Sequence, residues 1–188
     1  GTLSMRAGKG GARTAHTIIR IFMQDQQHEA PTPQQLRHAL GRFATGVTIV
    51  TCRDAHGAPS GLTVNSFGGV SLEPPLVLWS LRSASPNTTV FATAKVFNVN
   101  VLTQAQVALS RHFASRVSHK FGEGSWSDGR NGAPVLADCA AVFECDSVAQ
   151  HVIGDHLLFV GEVSSALEST RPPLLFHAAR YHQLGKVV

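Results

Sequence analysis

The stretch from Ser60 to Pro75, SGLTVNSFGGVSLEPP, runs directly into LVLWSL and decides how the chain is read. Leu62, Val64, Val70 and Leu72 fall where a strand would bury alternate side chains. The centre of the same stretch, Thr63, Asn65, Ser66, Gly68 and Gly69, is small, polar and poorly suited to a core. Glycine inside a strand marks a bulge or a place where something approaches the backbone closely.

The flanking segments supply its partners. GVTIVTCR (46–53) reads as a strand, DAHGAP as a turn and SGLTVNSF as the second arm of a hairpin. PLVLWSLR (75–82) is nearly continuous apolar and predicts a buried strand, and FNVNVLT (97–103) alternates as another. Further strands are expected in CAAVFECDSV, HVIGDHLLFVGEVSSAL and PLLFHAARYHQL. Thr32 before Pro33 predicts a helix entry, with Leu36, Leu40 and Phe43 on one face and Gly46 closing the element. Ser85 before Pro86 predicts a second entry. Thr103 caps a third helix, whose Val107, Leu109 and Phe113 approximate a buried face. Residues 115–134 are rich in Gly, Ser and charge and predict a surface loop. About six or seven strands with two or three short helices describe a mainly β fold, a closed or nearly closed barrel with helical decoration.

A chain of 188 residues supports one domain, expected over 32–188, behind a flexible extension over 1–31 that carries no chemistry. That extension is basic, Gly-rich and free of acids until Asp25, so a transit peptide is a second reading of it. With 43% hydrophobic and 15% charged residues the composition is that of a soluble globular protein. No apolar run approaches the ~18 residues that cross a bilayer, so no membrane partner is expected. Outside the extension the positive charges are scattered, so no nucleic-acid partner is expected either. Cys52, Cys139 and Cys145 form no C-x-x-C pair and fit buried thiols in a reducing, cytoplasmic setting.

Ten histidines invite a metal, but none sits in an H-E-x-x-H or carboxylate-rich context, and no metal is expected. A G-x-S-x-G elbow, a Walker loop and a G-x-G-x-x-G loop are all missing. What remains is Ser66, Ser71, Ser83, Ser85, Asn87, Thr88 and Asn100 at the ends of expected strands. They could donate hydrogen bonds to an anion or a flat heteroaromatic ligand. They could equally serve local turn chemistry. From the residues alone both readings stand.

RFATGVTIVT, GLTVNSFGGVSLEPPLVLWSL, FNVNVL, RHFA with a later KF, GAPVL, GDHLLFVGEV and PLLFHAARY together resemble the flavin reductase-like family. The likeness runs in order over roughly residues 33–185. It implies an FMN-binding split barrel of Greek-key type with six strands, a homodimer with flavin near the subunit interface. The implied activity is hydride transfer from NADH or NADPH to FMN or FAD, with the reduced flavin supplied to a partner monooxygenase. A flavin-binding electron-transfer or storage module and a barrel for haem or another ligand are the alternatives.

The resemblance places Thr63, Val64, Asn65, Ser66, Phe67, Gly68 and Gly69 along the isoalloxazine, and Val47 and Thr48 beside it from the first strand. Ser83, Ser85, Asn87 and Thr88 resemble the phosphate end, with Arg111, Lys120 and Phe121 of the KF pair nearby. His156 in Gly-Asp-His is implied near the nicotinamide, for hydride transfer or coenzyme placement. On the residues alone, Gly154 and Asp155 only bend a hairpin there. Ala179, Arg180 and Tyr181 resemble a segment bordering the same ring. Trp79 is bulkier than the family's residue and is expected to pack in the core.

Overall fold

The computed structural model describes residues 30–188, so the expected extension over 1–31 lies almost wholly outside the described residues. Residues 38–188 form one compact unit that holds every strand described below. The first helix, α1 (Pro33–Leu40), starts as expected. The Thr32 hydroxyl accepts from Gln35 N–H while Gln35 Oε1 accepts from Thr32 N–H, a reciprocal cap. It stops earlier than expected, because Gly41 follows Leu40 and the chain leaves through turns. Leu36, Leu40 and Phe43 are exposed, and Gly46 lies in a short strand, β1 (Thr45–Gly46).

Strands β2 (Thr48–Arg53), β3 (Pro59–Val64), β4 (Gly68–Leu72), β5 (Pro75–Arg82), β6 (Val96–Val101), β9 (Ala141–Ile153) and β10 (His156–Glu168) form one antiparallel sheet. Their order is β3-β2-β6-β9-β10-β5-β4, one strand more than the six implied. Between β5 and β6 lies α2 (Thr88–Thr93), with Asn87 rather than Ser85 at its N-cap. A single 3₁₀ turn and α3 (Val107–Ala114) follow β6. The expected surface loop is more ordered than that: β7 (Trp126–Asp128) and β8 (Pro134–Leu136) pair within it. The chain ends in the hairpin β11 (Leu175–His177) and β12 (Arg180–His182), and β11 also pairs with β1.

The opening stretch is therefore two strands, not one. β3 and β4 are the two edges of the sheet, joined by only Asn65, Ser66 and Phe67. The chain crosses from one edge to the other at this corner, and Ser66 makes the crossing hold. Its Oγ accepts from Ser80 N–H and donates to the Ser80 carbonyl, both at 3.0 Å. One hydroxyl thus supplies both bonds that a neighbouring strand would give Ser80.

Inside the barrel, Trp79 stacks on Phe159 with ring centroids 4.3 Å apart and meets Phe91 and Phe97 edge-on. Trp79 is fully buried, the packing role expected of it. A second apolar layer covers the other face of β2 and β6, where Ile49 and Val142 join Phe113, Leu136 and Leu174. Strand β6 is consequently buried on both sides: Phe97 and Val99 face the barrel, and Asn98 and Asn100 face the covering layer.

The covering layer satisfies those amides. Asn98 donates to the Ala133 carbonyl at 2.8 Å and accepts from Asn131 Nδ2. Asn100 donates to the Ile49 carbonyl and accepts from Leu136 N–H at 2.8 Å.

Burial pushes the thiols of Cys52, Cys139 and Cys145 from the ordinary 9.0 to about 12. The folded chain therefore holds three protons that the unfolded chain releases above pH 9.0. Stability present below pH 9.0 is lost as pH rises toward about 12. Denaturant titrations at stepped pH should show this fall, flattened in Cys52→Ala. Ellman's reagent should find no thiol in the native protein and all three in urea. Ser66→Ala leaves both Ser80 backbone groups without a partner and should cost about 1–3 kcal/mol, measurable by urea denaturation.

Candidate functional site

The corner that closes the barrel is also its most open backbone. Among the described residues, the N–H groups of Asn65, Ser66 and Phe67 find no acceptor. Three adjacent donors left free, on a segment that is exposed or half-buried, are available to a ligand. The two glycines beyond them add room. A Cβ built on Gly68 or Gly69 meets nothing within 4 Å, and neither has a positive φ. Gly69 borders a β-bulge, with Val70 unpaired between Gly69 and Ser71; at Gly68 neither packing nor a positive φ calls for glycine. Gly46, ahead of β2, is open in the same way.

The side chains around the corner are mostly engaged. The Ser66 hydroxyl donates its hydrogen bond to the Ser80 carbonyl. Phe67 packs on Phe143 with centroids 5.3 Å apart. Thr63 Oγ1 donates to the Ser110 carbonyl at 2.7 Å, and Thr48 Oγ1 donates to the Val64 carbonyl. Val47 and Val64 are buried in the two cores. Asn65 alone presents an exposed side chain. Asn100 is corrected outright: it is not at an open strand end but fully buried, with its amide bonded inside the protein.

Along β5, Ser80, bonded to Ser66, is two residues from Arg82, a rise of ~7 Å. Arg82 is paired across the sheet with His156 at the start of β10. Ser83 N–H donates to the Asp155 carbonyl, and Thr88 Oγ1 to the Arg82 carbonyl at 3.0 Å. Ser85 Oγ accepts from Asn87 N–H. The corner, the Ser83–Thr88 turn and His156 thus share one end of the β5–β10 pair. Asp155 Oδ1 lies 2.8 Å from His156 Nδ1, and this hydrogen bond, the largest cause, holds the carboxyl below its usual range. Arg82 approaches the other oxygen at 3.7 Å.

A cavity of about 180 Å³ brings Asn87 together with Ser60, Gly61, Ser118, Lys120 and Phe121. Lys120 is held there rather than free. Its Nζ donates to the Phe113 carbonyl at 2.8 Å, at the end of α3, and to Gly61 at 3.4 Å. Burial keeps its ammonium below the usual lysine range. Phe121 meets Phe113 edge-on.

Farther along α3, Ser110 Oγ is 2.8 Å from the Tyr181 hydroxyl, and the Arg111 guanidinium lies 5.5 Å from the Tyr181 ring centroid. A continuous chain therefore links Thr63 on β3, Ser110 on α3 and Tyr181 on β12. The sequence reading missed Ser80, Arg82, Asp155 and Ser110. Ser110 carried a signal, a hydroxyl three residues from both Val107 and Phe113 on the buried face.

The hairpin that carries Tyr181 is strained. Ala178 and Ala179 both have positive φ, 48° and 61°, where a side chain is disfavoured. Ala179→Gly should raise stability by about 1 kcal/mol, read as a higher melting temperature.

The profile of the family described as "Flavin reductase like domain" matches residues 40–185. The chain is 40% identical over 174 residues to the FMN reductase (NADH) SmoA of Agrobacterium fabrum, covering 90% of this chain and 99% of that protein. It is 38% identical over 154 residues to HsaB of Rhodococcus jostii, the reductase subunit of a flavin-dependent monooxygenase, covering 81% and 78%. A probable flavin reductase of Rhizobium meliloti is 44% identical over 133 residues, 71% of this chain. The chain spans only 43% of that relative's length. Among solved structures, the NADH:FAD oxidoreductase SgcE6 of Streptomyces globisporus, in complex with NAD and FAD fragments, superposes with a TM-score of 0.78. It is 36% identical, over 84% of this chain and 97% of that one.

Proposed function

The chain belongs to the flavin reductase-like family, the split-barrel flavin reductases, and on that premise we propose that it reduces FMN or FAD with NADH or NADPH. The observation that carries this reading is the corner of the barrel. Free N–H groups at Asn65, Ser66 and Phe67 match the carbonyl and ring-nitrogen edge of an isoalloxazine, and open glycines at 68 and 69 let a flat ring lie against the strand.

The chemistry asks little of the side chains. The cofactors supply it themselves, a hydride passing from nicotinamide C4 to flavin N5. The protein has to hold the two rings with reacting atoms about 3–3.5 Å apart. It must also offer N–H donors where negative charge grows on the pyrimidine edge. No general acid or base is required, so the lack of a triad is no obstacle. The fixed corner can do both tasks, with His156, on β10 opposite Arg82, placing the nicotinamide. The turn from Ser83 to Thr88, half-buried at Ser85, Asn87 and Thr88, and the cavity shared by Asn87 and Lys120 serve the phosphate end.

The reduced flavin leaves for a monooxygenase partner, the role that the name of HsaB records for that relative. A homodimer completes the proposal. Val70 and Leu72 on edge strand β4, and Val152 and Ile153 at the β9–β10 turn, are apolar and exposed. No helix among the described residues is long and apolar enough to cross a membrane. Three free buried thiols suit a cytoplasmic location.

The purified protein should oxidise NADH or NADPH when FMN or FAD is added, followed by the loss of the reduced nicotinamide's absorbance. No turnover with any pairing overturns the reading. Gly68→Ala and Gly69→Ala, whose new methyls meet no protein atom, should keep the melting temperature and weaken flavin binding about tenfold, about 1.4 kcal/mol.

A further inference from the structure

We propose that Asp155 is a positioning residue that fixes His156 in one tautomer, so that Nε2 stands as a hydrogen-bond acceptor for the carboxamide N–H of the nicotinamide. The inference rests on the reading of His156 as the residue that places the coenzyme, and it adds which atom does so and why.

An ionised carboxylate only accepts hydrogen bonds. Asp155 Oδ1 lies 2.8 Å from His156 Nδ1, so Nδ1 carries the proton of that bond. In the neutral imidazole Nε2 is then the acceptor, the reverse of the Nε2–H form that a free histidine side chain prefers. Nε2 has no partner among the described residues, and the side chain is 41% exposed. The surroundings hold the carboxylate in place. Its backbone carbonyl accepts from Ser83 N–H, and Arg82, the cross-strand partner of His156, approaches Oδ2 at 3.7 Å. The charged or titratable neighbours are Arg82 from β5, Asp155 from the turn, and His151 from β9. His151 pairs with Leu158, one step along the same face from His156.

The nicotinamide ring carries a carboxamide, whose N–H₂ needs an acceptor. An imidazole presenting N–H would meet that group donor to donor. With Asp155 in place the match is donor to acceptor, and the ring face is set for one side of the coenzyme. Asp155 and Arg82 are both well exposed, so the ion pair contributes little to folding. Orientation of His156 is the role left to the carboxylate.

Two measurements test this. In protein labelled with ¹⁵N-histidine, NMR at alkaline pH should show His156 protonated on Nδ1 in the native chain and on Nε2 in Asp155→Ala. A native ring protonated on Nε2, or an Asp155→Ala ring unchanged, overturns the proposal without reference to turnover. The second arm compares NADH with its 3-acetylpyridine analogue, whose methyl ketone offers no N–H. Asp155→Ala should lower the NADH-to-analogue ratio of kcat/KM about fivefold, the worth of one neutral hydrogen bond, with the change in KM and the melting temperature unmoved. His156→Ala should also lower it, and the double variant no further than His156→Ala alone. Additive losses, or an equal loss on both substrates, overturn it. If the native protein reduces no flavin at all, the enzymatic reading fails, and the NMR arm still decides the tautomer.

Discussion

One hydroxyl closes this barrel. A seven-stranded sheet with β3 and β4 at its edges would leave two open ladders, and the three residues that join them are too few to form another strand. Ser66 resolves the conflict by giving Ser80 both a donor and an acceptor. Because a side chain does this work, the corner's own N–H groups stay out of the ladder. The same three residues that complete the fold therefore present free backbone donors to solvent. Fold closure and the free backbone donors are two consequences of one local geometry.

The constraint extends along β5. Ser80 is held at the corner, so the register of β5 against β10 fixes Arg82, Asp155 and His156 relative to it. On the other side, Thr63 is tied to Ser110 and Ser110 to Tyr181, which links β3 to the C-terminal hairpin through α3. Residues more than a hundred apart in sequence reach the same corner by strand pairing or by two hydrogen bonds. The hairpin end of that chain is held in place by pairing to β1 and by the Ala178 N–H bond to the Gly41 carbonyl. These contacts offset the two left-handed alanines at its tip.

The strands were legible in the sequence because alternation and apolar runs are local signals, and PLVLWSLR spans the observed β5 residue for residue. The small residues at the corner were legible as clearance for the same reason: they break a pattern that their neighbours keep. Asn100 was not. It looks like a strand-end donor, yet Leu136 N–H, from the segment that folds back over β6, bonds its amide oxygen, and the Ile49 carbonyl on β2 accepts from its amide nitrogen. Nothing within ten residues of Asn100 announces a partner 36 residues away. The long first helix failed differently. Leu36, Leu40 and Phe43 have helical spacing, but Gly41 ends the helix before the last of them.

Lys120 shows where a resemblance and a structure part. As a basic residue in a matching motif it resembles a free cation for a phosphate. Here its ammonium joins the last turn of α3 to Gly61 on β3, two residues from Thr63. A lysine with two carbonyls on Nζ has one N–H left and a depressed affinity for its proton. An arriving phosphate would restore what burial removed, since a nearby anion favours the charged form. The residue is thus a strut of the cavity wall, and an anion drawn to that wall would strengthen its charge.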